Sequence, residues 1–331
     1  MKISKMVKNK EYKTVKKCRI CGNSKLKSVL DLGKMPPANA FAKPESKKVA
    51  GNYPLVLKFC EKCSLAQLGH VVSPKILFSD YHYLTSASRP LAEHFIEEAK
   101  MIAEKYKVSQ EDLVVEFGSN DGVLLGALKN RCRVLGVDPA ENVAQIAKQN
   151  GVETFVAYFG KRSAEEIKEK HGQARIIIAY NVFAHIDDIS DVIKGVSTLL
   201  SPNGVFISES HWVGNLIGDG GFDQIHHEHL SYYSLHSLKY LAEQHGFIIS
   251  DIKLVPIHGA SLRVFVSKTG KPTAAVDNLL KKERKLGLNN HRAFSIFAIK
   301  VRTNKREAVA LIKKIRTEGK KIAGYGAPAK G

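Results

Sequence analysis

Four cysteines fall in two pairs, Cys18-Arg-Ile-Cys21 and Cys60-Glu-Lys-Cys63. Each C-x-x-C segment presents two thiolates on one tight turn, and two such turns complete a tetrahedral sulfur shell suited to zinc. Gly22, directly after the first pair, permits the close backbone approach that such a turn needs. Disulfides or a redox dithiol are the rival readings. A cytoplasmic context and the lack of a thioredoxin-like βαβ pattern around either pair disfavour both. With every coordination position filled by sulfur the metal would be structural, since no place is left for water. Cys132, the fifth cysteine, lies beside an apolar run and reads as core.

A second constellation begins where the apolar run Leu113–Phe117 enters the loop Gly118-Ser119-Asn120-Asp121-Gly122. The glycines let backbone pass close to a ligand, and Glu116 at the strand end can meet an ammonium group. One strand further on, Asp138-Pro139 ends the run Val134–Val137, where a carboxylate can accept ribose hydroxyls. The G-x-G-x-x-G of nicotinamide-dinucleotide sites is absent. Instead the segment resembles the first motif of class I methyltransferases, E/D-x-G-x-x-x-G, and that resemblance implies S-adenosyl-L-methionine.

The third constellation is histidine-rich: Asn181-Val-Phe-Ala-His185, and Phe222-Asp-Gln-Ile-His226-His227-Glu228-His229. An imidazole titrates near neutral pH, which suits removal of a proton from carbon beside a carbonyl. Histidines that merely satisfy nearby backbone groups are the blander reading. A second metal at His226 and His229 is disfavoured, because H-x-x-H lacks the helical spacing of H-E-x-x-H sites.

The elements that must position these groups follow from periodicity. Ser88 opens a helix with Pro90 in its first turn and Leu91, Phe95, Ala99, Ile102 and Tyr106 on one face. Strands are predicted at 113–117, 134–137, 175–180 and 205–208, alternating with helices at 122–130, 140–150, 163–170 and 189–200. Ser163 and Glu166 have capping-box spacing. Such alternation predicts an α/β, Rossmann-like, doubly wound parallel sheet, with ligands beyond the carboxyl ends of its strands. A strand pair at 247–255 and 261–267, charged helices over 274–318 and a strand at 321–325 follow. That last strand enters Gly324-Tyr-Gly-Ala-Pro-Ala-Lys-Gly331, the opening of a βαβ unit whose helix does not follow, so the sequence is expected to be a fragment.

The chain of 331 residues is long enough for two or three domains. No apolar run approaches membrane-spanning length, and the lysine-rich start has no apolar segment behind it, so a cytoplasmic enzyme is expected. A formal charge of +19 admits a nucleic-acid partner, but no basic motif interleaved with aromatics occurs; lysine-covered helix faces or a phosphate-bearing small substrate suit it better.

Together the cysteine region with Val29-Leu-Asp-Leu-Gly33, Tyr53-Pro-Leu, Glu116–Gly122, Asn181–His185, His227-Glu-His229 and His258-Gly-Ala-Ser-Leu-Arg263 resemble the deoxysugar C-methyltransferases. The resemblance implies methylation at C-3 of a nucleotide-linked 4-keto-6-deoxysugar. It also implies a zinc-binding domain (1–75), a methyltransferase domain (76–250) and a partial, Rossmann-like C-terminal domain (251–331). It places the general base on His229 and further active-site groups on His185 and on Tyr81 or Tyr83; Glu228, next to His229 in sequence, is expected to orient it. The family's tyrosine in Y-H-E-H is His226 here; like the phenol, an imidazole can donate a hydrogen bond to a forming oxyanion. O- or N-methylation of a small metabolite is the runner-up, and an RNA methyltransferase or RNA-binding protein a more distant rival.

Overall fold

A computed structural model of the chain describes residues 11–38, 51–78, 84–256 and 260–324. The first strands, β1 (Tyr12–Thr14), β2 (Lys27–Met35), β3 (Tyr53–Cys60), β4 (Leu65–Leu68) and β5 (His70–Val72), are followed by helix α1 (Pro74–Phe78). β1 pairs with β5, and β2, β3 and β4 form an antiparallel meander whose side chains alternate in burial along β3.

Helix α2 (Arg89–Tyr106) begins after Ser88 and buries Leu91, Phe95, Ala99 and Ile102, the stripe its periodicity predicts. Then come β6 (Leu113–Phe117), α3 (Val123–Leu128), β7 (Arg133–Asp138), α4 (Glu141–Gln149), β8 (Thr154–Val156), α5 (Lys161–His171), β9 (Ala174–Tyr180), α6 (Ile189–Leu199) and β10 (Leu200–His211). After α7 (Val213–Asp219), the two-residue strand β11 (Ser231–Tyr232) and α8 (Leu235–Gln244), the hairpin β12 (Ile248–Val255) and β13 (Ser261–Ser267) leads to α9 (Ala274–Lys285) and α10 (His291–Thr317).

Seven strands make one sheet in the order β12-β13-β10-β9-β6-β7-β8. β6 to β10 run parallel, and only β13 opposes its neighbours. Both faces of β6 are covered: Val114 packs under α2 and α3, while Leu113, Val115 and Phe117 face the other core. This is why the central strands read as continuous apolar runs. The hairpin after residue 247 is integral to this sheet. The order reverses at β6, between β7 and β9, which makes a crevice beyond their carboxyl ends.

β11 leaves that sheet's territory and pairs antiparallel with β4, so a segment from beyond residue 230 becomes the fourth strand of the cysteine-bearing sheet.

Two local expectations are corrected. Ser163 does not pair with Glu166 in a capping box. The helix starts earlier, at Lys161, so Ser163 is its third residue and its Oγ accepts from the Gly160 N–H at 2.9 Å, while Glu166 bonds Arg162. Residues 321–324 are not a strand. No described strand lies beside them, and a ladder needs a partner to take its hydrogen bonds. The glycine-rich segment 325–331 lies outside the described residues.

Candidate active site

The four cysteine Sγ atoms converge within 4.8 Å of one another, all free of disulfide bonding. The two knuckles are built alike. The Gly22 N–H donates to the Cys18 carbonyl at 3.0 Å and the Ser64 N–H to the Cys60 carbonyl at 2.8 Å. In each turn this donor residue adopts positive φ, +67° for Gly22 and +60° for Ser64. Zinc–sulfur bonds of about 2.3 Å give tetrahedral edges of about 3.8 Å, which a cluster of this spread accommodates with little movement. The donor set fits structural zinc. Cys132 is buried and its thiol donates to the Leu128 carbonyl, a core residue as expected.

The loop after β6 borders a cleft of about 730 Å³ at the switch point. Gly118, Asn120 and Gly122 all take positive φ there. A Cβ on Gly118 would lie 2.7 Å from Val182 Cγ2, so glycine is required on both counts. Asp138 accepts from the Asn120 N–H (3.0 Å) and the Ala140 N–H (2.9 Å), which ties its strand end to the loop. Of the residues expected to hold a cofactor, Glu116, Gly118, Ser119, Asn120, Asp138, Pro139 and Asn181 line the cleft. Asp121 and Gly122 do not. Asp121 points the other way and accepts from the Ser86 N–H, while Asn120 Oδ1 accepts from that of Thr85, anchoring the entry to α2.

Glu116 is buried with Oε2 unbonded. Burial, with Asp138 and then Asp121 adding like charge, holds its carboxyl well above the ordinary range. Burial also raises Asp138, against the two N–H groups that stabilise its anion. No ion pair satisfies any of the three carboxylates among the described residues. A buried, uncompensated carboxyl facing a cleft fits a ligand that brings a positive charge, as the ammonium of S-adenosylmethionine does.

The histidines form a cluster centred on His229. Its ring centroid is 4.0 Å from that of His226, and 5.0 Å from those of both His185 and His211. The four are not arranged to share an ion; the cysteine cluster is the only such group among the described residues. His185 and Glu228 reach the cleft wall, and His226 and His229 stand behind it. His229 Nδ1 lies 3.1 Å from the Gln224 carbonyl, so that carbonyl orients the ring. Burial and then the neighbouring rings of His226, His185 and His211 hold His229 well below the usual imidazole range. Burial likewise pushes His185 down to about 4, although the carbonyls of Asn181 and Glu228 oppose it. Both are neutral bases at physiological pH. His227 also lines the cleft, but its Nε2 lies 3.1 Å from the Tyr53 carbonyl and ties the ring to β3. Tyr81 and Tyr83 lie outside the described residues.

Several participants escape sequence reasoning. His211 ends β10, and the rule that ligands sit beyond strand ends could have marked it. Arg263, inside a quoted motif but given no role, is wholly buried between Glu209 (2.6 Å) and Glu98, with its guanidinium 4.8 Å from the Tyr180 ring. Tyr180 also lines the cleft. Arg19, within the first cysteine knuckle, reaches across to Asp187 and Leu230.

No helix among the described residues is long and apolar enough to cross a membrane. Residues 18–78 match a family of zinc binding domains, 92–250 a methyltransferase domain, and 256–331 a C-methyltransferase C-terminal domain. C-methyltransferase NovU of Streptomyces niveus is 38% identical over 327 residues, spanning 96% of this chain and 77% of that protein. Among solved structures, a SAM-dependent methyltransferase from Anabaena variabilis covers 52% of this chain and 84% of its own, with 17% identity and a TM-score of 0.41. Magnesium protoporphyrin IX methyltransferase from Synechocystis PCC 6803 covers 54% and 79%, with 13% identity and a TM-score of 0.40. Those two likenesses are too slight to bear on chemistry; the domain matches and the NovU likeness are not. The chain belongs to the SAM-dependent C-methyltransferases, with S-adenosyl-L-methionine as methyl donor and a four-cysteine zinc site.

Proposed function

We propose that this enzyme methylates a carbon of a nucleotide-linked keto-deoxysugar, next to the ketone. The observation that carries the reading is the pairing of two neutral imidazoles, His185 at the wall of a cleft whose other side is the Glu116 loop and His229 directly behind it, with ring centroids 5.0 Å apart. Bound at that loop, S-adenosylmethionine would supply an electrophilic methyl group to the substrate carbon, its sulfur keeping the bonding pair.

The chain's own residues do the rest. Glu116 would hold the ammonium group and Asp138 the ribose hydroxyls, while Asp121 keeps the loop in shape from behind. On His229 the nitrogen facing the Gln224 carbonyl carries the proton, leaving Nε2 with the lone pair. Nε2 removes the proton from the carbon beside the ketone, and the C–H electrons pass to an enolate. His185, His226 and Tyr81 or Tyr83 donate to the enolate oxygen, a preorganised role whose loss typically costs about a hundred- to a thousandfold in rate. The basic surface suits a diphosphate-linked substrate. The same reading keeps the three-part division near residues 75 and 250, with the third part lending a hairpin to the methyltransferase sheet. It also keeps the enzyme in the cytoplasm, where thiols stay reduced and free for zinc.

The test is exchange of the proton beside the ketone for solvent deuterium, with S-adenosylhomocysteine and a panel of nucleotide-linked 4-keto-6-deoxyhexoses. Exchange that is lost in His229→Gln, and a methyl on carbon by product NMR in full turnover, are expected. A methyl on oxygen or nitrogen, or undiminished exchange in His229→Gln, would overturn the assignment.

A further inference from the structure

The Arg19 side chain, which springs from the first cysteine knuckle, is only 3% exposed. Its neighbours in sequence are Cys18 on one side and, two residues on, Cys21, so metal coordination would fix its backbone from both ends. Its own N–H donates to Gln67 Oε1 at 2.9 Å, and Gln67 Nε2 donates back to the Lys17 carbonyl at 3.2 Å. The guanidinium then leaves the knuckle. Nε donates to Asp187 Oδ1 at 3.0 Å, while Nη1 donates to two carbonyls, Leu68 at 2.9 Å and Leu230 at 3.1 Å.

Those acceptors flank the histidine pair. Leu230 follows His229 directly, and Asp187 is two residues beyond His185. The Leu230 carbonyl also accepts from the Leu68 N–H at 3.0 Å, and the Leu230 N–H donates to Ala184, directly before His185, at 2.8 Å. One planar guanidinium thus joins the segment that carries His229, the turn that carries His185 and the cysteine-bearing sheet. We infer that Arg19 is a positioning residue for the His185–His229 pair, the part through which the zinc knuckle sets active-site geometry. The inference rests on the reading of that pair as the proton-handling site. A lysine cannot replace it, because its three N–H donors radiate from one nitrogen, whereas Asp187 is served from Nε and the two carbonyls from Nη1.

The test uses Arg19→Lys and Asp187→Ala in the full chain. The second variant breaks the same tie from the methyltransferase side and leaves the knuckle untouched. Both should keep one zinc per chain by colorimetric release and bind S-adenosylhomocysteine within about twofold of the parent. In ¹⁵N-histidine NMR both should lose the Nδ1-protonated signal of His229, assigned by its disappearance in His229→Gln. Turnover should fall about a hundredfold, the scale of a misplacement near 1 Å, with KM for the methyl donor little changed. Unchanged histidine spectra and turnover in both variants would overturn the inference. So would zinc content and ligand affinity falling in step with turnover, since that marks a fold staple. If the spectra move as expected while no keto-sugar is turned over even by the parent, the Arg19 tie stands and the substrate assignment fails.

Discussion

Trp212 Nε1 at the end of β10 donates to Glu283 Oε1 on α9 at 2.8 Å, inside the core. The same carboxylate accepts from the Leu235 N–H (2.6 Å) and the His236 N–H (3.0 Å), and bonds His236 Nδ1 at 2.6 Å. A side chain from the charged helices beyond residue 274 therefore caps α8 and pins the sheet end. Glu283→Ala strips an indole and two helix-end donors of their acceptor, and is expected to cost about 3–5 kcal/mol. Trp212 is the only tryptophan, so urea unfolding followed by its fluorescence checks this directly. A loss under 1 kcal/mol would show that water replaces the carboxylate.

Gly118→Ala meets two penalties at once, a φ of +68° and a Cβ 2.7 Å from Val182 Cγ2. We expect about 2–4 kcal/mol of destabilisation. Affinity for S-adenosylhomocysteine should fall as well, because the loop that shifts is the cleft wall. Thermal melts with and without ligand separate the two effects. A variant whose melting temperature falls while its ligand affinity stays at the parent's would remove Gly118 from the binding loop.

Glu116 gives a pH dependence with a definite sign. Its carboxyl is raised in the folded state, so above the ordinary carboxyl range the folded chain holds a proton that the unfolded chain has lost. From that range upward the group costs stability as pH rises. A cationic ligand favours the ionised form. Binding should release a proton and tighten with pH until Glu116 is ionised in the free enzyme. Calorimetry of S-adenosylmethionine in buffers of different ionisation enthalpy measures that proton, and Glu116→Gln should abolish it.

The histidine cluster titrates in the opposite sense. His229 and His185 are both held below 6.5, His185 at about 4, so the folded state keeps them neutral where the unfolded chain would charge them. Their contribution to stability is complete above 6.5 and is lost as pH falls toward about 4. Activity should stay level through pH 6.5 and drop only on the acid side of it; an acid limb at 6.5 or above in the kcat/KM profile would exclude a buried base. His226→Tyr should retain turnover, because a phenol can make the same donation, whereas His226→Ala should lose about a hundred- to a thousandfold.

Much was legible before any tertiary contact was known. The cysteine pairs, the glycine loop with Glu116 and Asp138, the α2 stripe and the alternating strands and helices are local patterns, set by steric limits on φ and by the periods of helix and strand. The whole 113–117 strand and the 261–267 strand stand where periodicity puts them.

What periodicity could not supply is which distant segments meet. The Arg19–Leu230 and Arg263–Glu98 bonds join residues separated by 211 and 165 positions, and no local signal encodes such a partner. The strand expected at 321–325 is absent over its described residues, 321–324, for the related reason that a β-strand is a property of two segments, and composition describes one. His229 was marked by its motif, but its neutral state and its tautomer belong to the Gln224 carbonyl and the rings packed around it. Local sterics wrote the elements; burial and long-range hydrogen bonding decided what each histidine, arginine and carboxylate is able to do.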